Sequence, residues 1–378
     1  MILSEEQQMV RDMARDFSRE KLAPFAAEWD RDHRFPAEAI SEMASLGFLG
    51  MNVPGEWDGA GLDYVSYAAA VIEVAAGCGA VSTIMSVHNG VGCMPILNYG
   101  DEAQREKYLK PMARGEWIGC FCLTEPDAGS DAASIRTRAR REGDHYVING
   151  AKQFISGAGD TDLYVAMVRT GDDGPKGVST IVVPKDAPGL SFGAIESKMG
   201  WHMQSTRQVI FEDCKVPAEN VLSGEGAGFR IAMAGLDGGR LNIAACSLGG
   251  AQSALDKALA YTAEREAFGK AINQFQALQF KLADMETELQ ASRMLLYTAA
   301  SKLDRKAPDA GKWSAMAKRF VTDTGFDVAN AALQLHGGYG YLHEYGVEKL
   351  VRDLRVHQIL EGTNEIMRVI IARHLIGR

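Results

Sequence analysis

The period of the hydrophobic residues changes twice along this chain, and any fold must accommodate both changes. Over residues 1–115 apolar side chains recur at i, i+3 and i+4, as in Met9, Val10, Met13 and Phe17, the spacing of an amphipathic helix. Over 116–225 short β-branched and aromatic runs take over: Trp117 to Leu123, His145 to Ile148, Leu163 to Val168, Ser179 to Val183 and Gln208 to Phe211. Turn clusters such as Gly143-Asp144, Gly171-Asp172-Asp173-Gly174 and Pro188-Gly189 separate them. No helical pattern intervenes, which favours an antiparallel sheet over βαβ units. After Gly224-Glu225-Gly226-Ala227-Gly228 the helical spacing returns over 226–378, where Phe275, Leu278, Leu282, Met285, Leu289 and Leu296 form one stripe. The expectation is an α+β chain, mainly α: an N-terminal helical domain, a middle antiparallel β domain and a C-terminal helical bundle.

Several classes of function drop out. Forty Lys and Arg against 49 Asp and Glu give a formal net charge of −9, so no broad cationic field attracts a phosphate backbone, and no nucleic acid is expected as partner. Six cysteines do not make a disulfide framework and read as reduced thiols. The apolar stretch from Tyr64 to Val87 is rich in Ala, Gly and Ser and is interrupted by Gly77-Cys78-Gly79. Two tightly packed buried helices are expected there, not a membrane span. Ser4-Glu5-Glu6-Gln7 reads as a capped helix start, not as a targeting segment. There is no phosphate-binding G-x-x-x-x-G-K-[ST], and His343-Glu344 lacks the second histidine of a zinc protease, so no metal site is expected.

Three segments carry candidate chemistry. Cys122-Leu-Thr-Glu-Pro-Asp-Ala-Gly-Ser-Asp131 ends a predicted strand and gathers Thr124, Ser130 and loop amides, which suits a polar ring or a thioester-phosphate ligand as well as an ordinary loop. Gln334-Leu-His-Gly-Gly-Tyr-Gly-Tyr341 exposes backbone N–H groups for a pyrophosphate, or is a glycine helix cap. In Ile359-Leu-Glu-Gly-Thr-Asn-Glu-Ile-Met367, Glu361 follows two apolar residues and Thr363 suits the N-cap of a final helix. A carboxyl held against apolar neighbours has a raised pKa and suits a general base; the alternative is a solvated helix-flanking Glu.

Taken together and in this order, the three segments resemble the acyl-CoA dehydrogenase family over essentially the whole chain. Both family signatures are intact, C-L-T-E-x-x-A-G-S-D at 122–131 and Q-x-x-G-G-x-G-Y-x-x-E-x4-K-x3-D from Gln334 to Asp353. The part from Lys176 onward is particularly similar to the isobutyryl-CoA branch, and the N-terminal part looks equally like the straight short-chain members. The branched pattern has Asn where Asp237 stands, whereas the straight-chain members have Asp.

The resemblance implies the three-domain fold with a C-terminal four-helix bundle, FAD as cofactor, and α,β-dehydrogenation of a short acyl-CoA substrate, isobutyryl-CoA first and butyryl-CoA second. In such enzymes a glutamate removes the α-proton while the β-hydrogen leaves as hydride to flavin N5. Glu361 matches that base. The isovaleryl branch places its base just before the Arg that corresponds to Arg240; here that position is Gly239. By the same resemblance FAD is held by Phe121, Leu123, Thr124, Gly129, Ser130, Phe154, Ile155, Ser156, Arg265, Phe268, Gln276, Gln334, Gly337, Gly338, Thr363 and Glu365. Ser130, Asp237, Arg240 and Gly362 correspond to acyl-CoA contacts. It further implies a homo-oligomer, usually a tetramer, in which neighbouring subunits share FAD contacts, an electron-transfer flavoprotein as partner, and a bacterial cytoplasmic setting. The rivals are an oxygen-reactive oxidase on the same scaffold and a non-catalytic helical binding module.

Overall fold

The computed structural model describes residues 3–377, so the first two residues and the last lie outside it. The N-terminal region contains α1 (Glu5–Phe17), α2 (Ala26–Arg31), α3 (Ala37–Ser45), α4 (Tyr64–Gly77), α5 (Gly79–Ser86), α6 (Met94–Tyr99), α7 (Glu102–Gln104) and α8 (Lys110–Ala113). The capped start read from the sequence is present: Ser4 Oγ accepts from the Gln7 N–H while the Gln7 side chain accepts from the Ser4 N–H. Cys78 adopts an extended conformation between α4 and α5, so the apolar stretch does form two buried helices. A π-helical turn (Val87–Cys93) joins α5 to α6, making Gly79–Tyr99 long and apolar enough to cross a membrane, yet 83% of that window is buried inside the protein.

The middle region folds into one seven-stranded sheet: β1 (Gly119–Cys122), β2 (Arg138–Glu142), β3 (His145–Ser156), β4 (Leu163–Arg169), β5 (Val178–Pro184), β6 (Leu190–Phe192) and β7 (Thr206–Pro217). The order is β1-β4-β2-β3-β7-β6, with β5 also on β4. Most pairings are antiparallel, but β1 runs parallel to β4 from Gly119↔Leu163 to Cys122↔Ala166, and β2 meets β4 in parallel at Arg138↔Arg169. Here the sheet departs from the all-antiparallel expectation. A parallel pair needs a long crossover, normally a helix; in this chain the β2–β3 hairpin is the crossover, so no helical texture announces it.

All seven residues of β4 are buried, and they alternate between two cores. Leu163, Val165 and Met167 pack in a cluster with Ile231, Ala232 and Leu236, whereas Tyr164, Ala166 and Val168 fill the other face with Ile148, Phe211 and Cys214. The first cluster fixes the sheet to the start of α9 (Gly228–Glu264), a helix of 37 residues. α9 packs with α10 (Gln276–Asp304) and α11 (Ala310–Leu335), and α12 (Val347–Arg355) and α13 (Asn364–Ile376) lie against α11. A small hairpin, β8 (Glu266–Ala267) and β9 (Lys270–Ala271), links α9 to α10. The result is the mainly helical, three-part architecture expected, with α9 running from the sheet through the bundle.

Candidate active site

Glu361 sits in the short link between α12 and α13. Its φ is +53°, a conformation costly for a residue with a Cβ, and Gly362 follows at +88°. Thr363 caps α13 by accepting from the Ile366 N–H. The two left-handed residues turn the Glu361 side chain inward, where Oε2 is buried without a hydrogen-bond partner among the described residues. Burial pushes the carboxyl up to about 7, against the opposing pull of Arg240 and Lys318. The Glu361 backbone N–H likewise has no acceptor among the described residues. Glu365, in the first turn of α13, is exposed.

The carboxylate lies against the bare backbone of α9. A Cβ added at Gly239 would stand 1.9 Å from Glu361 Oε2 and 2.7 Å from its Cδ, so only glycine leaves room for it. The next residue, Arg240, is buried; its Nη1 donates to Asp237 Oδ1 at 2.6 Å, and its Nε is buried and unpartnered among the described residues. Burial raises the Asp237 carboxyl, with Arg240 pulling in the other direction. Gly362, Asp237 and Arg240, three of the four expected acyl-CoA contacts, thus come from the two segments that meet at Glu361. The fourth, Ser130, is exposed on the loop after β1.

Phe121, half-buried, lies within β1, and the loop that leaves the strand after Cys122 passes Leu123, Thr124, exposed Gly129 and Ser130. Glu125 anchors it from inside. Its carboxylate accepts from the Arg136 and Thr137 N–H groups at 2.5 and 3.0 Å and pairs with the fully buried Lys152 ammonium at 2.7 Å. Burial pushes Glu125 up, but Lys152 and the amide donors more than offset it. Gln153 N–H donates to Thr124 O at 2.8 Å, tying the loop to β3. Immediately beyond, a register shift against β7 between Lys152 and Ile155 marks a bulge, and Phe154 within it has φ +58° and is 63% exposed. Bulges of this kind re-aim a side chain: Phe154 is turned out of the sheet while Ile155 stays buried and Ser156 half-buried. The sequence gives little sign of the Lys152–Glu125 pair, because a lone Lys in a strand reads as solvent-facing. Lys152→Met should cost about 3–5 kcal/mol by leaving Glu125 buried and unpaired. An unchanged melting temperature would refute the anchor.

The remaining candidates lie elsewhere. Arg265, Gln334, Gly337 and Gly338 line a cavity of about 390 Å³, to which no residue of the 122–131 loop, of 154–156 or of the Glu361 turn contributes. Arg265 lies over the Tyr339 ring, 5.7 Å from its centroid, and nothing stands within 4 Å of a Cβ added at Gly337 or Gly338, so a ligand can reach that backbone. Phe268, 96% exposed on the β8–β9 hairpin, and Gln276, exposed at the start of α10, stand outside the cavity. The two sets fit the two ends of FAD. An outturned aromatic beside loop hydroxyls suits a flat apolar ring system, and a cation with open glycine backbone suits a pyrophosphate.

Three matches cover the chain. Family models described as the N-terminal, middle and C-terminal domains of acyl-CoA dehydrogenase match residues 4–116, 120–214 and 226–376. The mitochondrial isobutyryl-CoA dehydrogenase of Dictyostelium discoideum is 50% identical over 376 residues, covering 99% of this chain and 90% of that protein. Among solved structures, butyryl-CoA dehydrogenase from Megasphaera elsdenii superposes with a TM-score of 0.97 at 40% identity, covering 100% of this chain and 99% of that one. A chain of the structure described as "Electron transferring flavoprotein of Acidaminococcus fermentans: Towards a mechanism of flavin-based electron bifurcation" gives 0.98 at 43% identity, with 100% of both chains covered.

Proposed function

The chain belongs to the acyl-CoA dehydrogenase family, and from that premise we propose that it desaturates the Cα–Cβ bond of a short acyl-CoA, isobutyryl-CoA in first place. Members of the family are FAD flavoproteins, and bound FAD supplies the acceptor for the hydride that leaves Cβ. The observation that carries the reading is the buried, unpartnered Oε2 of Glu361 against Gly239. That oxygen takes the α-proton. The free backbone N–H of Glu361 donates to the thioester oxygen, where negative charge develops as the proton leaves, and exclusion of water strengthens that bond. Arg240 and Asp237 orient the acyl-CoA beside the base, and Ser130 contacts it from the β-domain loop. The identity with the Dictyostelium enzyme supports the branched substrate; Asp237, the straight-chain residue, supports butyryl-CoA as second reading.

The division of FAD candidates into two sets supports an oligomer, a homotetramer in our reading, in which a neighbouring copy completes each flavin site. The likeness to a chain of a structure described as that of an electron transferring flavoprotein supports such a protein as electron acceptor. The test is anaerobic mixing of the purified yellow protein with isobutyryl-, butyryl-, 2-methylbutyryl- and isovaleryl-CoA while flavin absorbance is followed. Bleaching fastest with isobutyryl-CoA is expected; bleaching by none of the four would sink the assignment.

A pH dependence accompanies it. Only the ionised carboxyl accepts a proton, and Glu361 titrates at about 7, so the bleaching rate rises between about pH 6 and about pH 8 and then levels off. A rate that is flat over that interval excludes a base with so high a pKa.

A further inference from the structure

Behind the Glu361 turn stands a charged side chain that the reaction scheme does not use. Lys318, on α11, is fully buried. Its Nζ donates to the Gly362 carbonyl and to Asn364 Oδ1, both at 2.8 Å, and it has no ion-pair partner among the described residues. Asn364 is held in turn, its Nδ2 donating to Thr322 Oγ1 at 2.9 Å and Asp323 Oδ1 at 2.6 Å, while Thr322 Oγ1 donates to Lys318 O at 2.7 Å. A buried ammonium satisfied only by a carbonyl and an amide is expensive to keep. Its two acceptors flank Thr363, and the first belongs to the glycine that completes the strained turn.

We propose that Lys318 is a positioning residue for the base: by gripping the Gly362 carbonyl and the Asn364 side chain it holds the Glu361–Gly362 pair in its left-handed conformation and Oε2 against α9. This rests on the reading of Glu361 as the base. The same ammonium, with Arg240 of α9, favours the ionised carboxyl. The other titratable groups whose fields reach this pair are Tyr67 of α4, Cys246 of α9, Asp323 of α11, His357 and Glu365.

Two variants separate grip from charge. Lys318→Met in the FAD-loaded protein should lower kcat on the order of 10²-fold, with KM changing far less, because the base is misplaced. Its rising pH limb should move up by about one unit or more. Lys318→Gln, which retains a donor for Gly362 without the charge, should recover most of the rate at alkaline pH and keep the displaced limb. Wild-type rate and wild-type limb in Lys318→Met overturn the proposal. If Lys318→Met does not fold, a Lys318→Gln rate that stays depressed even at alkaline pH, despite the retained donor, overturns it equally. A crystal structure of the Met variant gives an answer free of activity: a Glu361 φ turned negative supports the grip, and an unaltered turn refutes it. Wild-type protein that no acyl-CoA bleaches counts against the dehydrogenase reading, and the grip is then judged on that structure alone.

Discussion

Glu361→Gln should yield a folded, yellow protein whose flavin short acyl-CoAs no longer bleach, with a rate reduced on the order of 10⁴-fold, the upper end for removal of a positioned base. The substitution preserves size and shape, so Oε2 is replaced by a group of the same reach in the same pocket against Gly239. The backbone N–H at 361 is untouched, so the proposed donor to the thioester oxygen remains. Stability should hardly change, because the wild-type carboxyl is already desolvated and makes no hydrogen bond through Oε2 that the amide would lose. Loss of proton abstraction with retained FAD and retained substrate binding is therefore the signature. It is read by single-turnover bleaching beside a flavin-to-protein ratio, and wild-type bleaching in the variant would remove Glu361 from the mechanism.

The parts of this site that were legible in the sequence are those where one residue type does one job. The texture change at about 116 and about 226 marks where period-2 pairing replaces helical packing, and the sheet and long helices fall there. Thr363 is visible as an N-cap because few residues serve that role. The parallel β1–β4 pair was hidden because its crossover is a hairpin, and β2 because Arg138-Ala-Arg-Arg-Glu142 carries no apolar alternation. Lys152 and Lys318 were hidden for a different reason: a buried lysine has the same letter as a solvated one. Lys318 shares a face of α11 with Ser314, Ala315, Val321, Thr322 and Gly325, all buried in the fold, but these mostly small and polar residues make no apolar stripe that the sequence could show. The φ of Phe154 and of Glu361 left no local signal, since both strained residues are ones that ordinarily avoid that region.

Gly239→Ala should separate stability from activity in opposite directions. An interior helical glycine is about 0.5–1 kcal/mol worse than alanine in propensity, so in an open position the substitution would stabilise α9. At Gly239 the added carbon would meet Glu361 Oε2 at 1.9 Å, Cδ at 2.7 Å and Oε1 at 3.0 Å. The carboxylate has to yield, being the end of a flexible side chain on a turn, whereas α9 is buried along this stretch. Displacement by an ångström or more from the reacting carbon costs on the order of 10²-fold in rate, so activity should collapse while the melting temperature stays level or rises. By the resemblance read from the sequence, the isovaleryl branch carries its base at the position of Gly239, and the same geometry fits that relation. A side chain growing from α9 and one growing from the 361 turn converge on one point in space, so a carboxylate there can be supplied from either segment but not from both. Glycine at 239 is the structural counterpart of glutamate at 361. An alanine variant that bleaches its flavin at the wild-type rate would show that the carboxylate works from somewhere other than the face of α9.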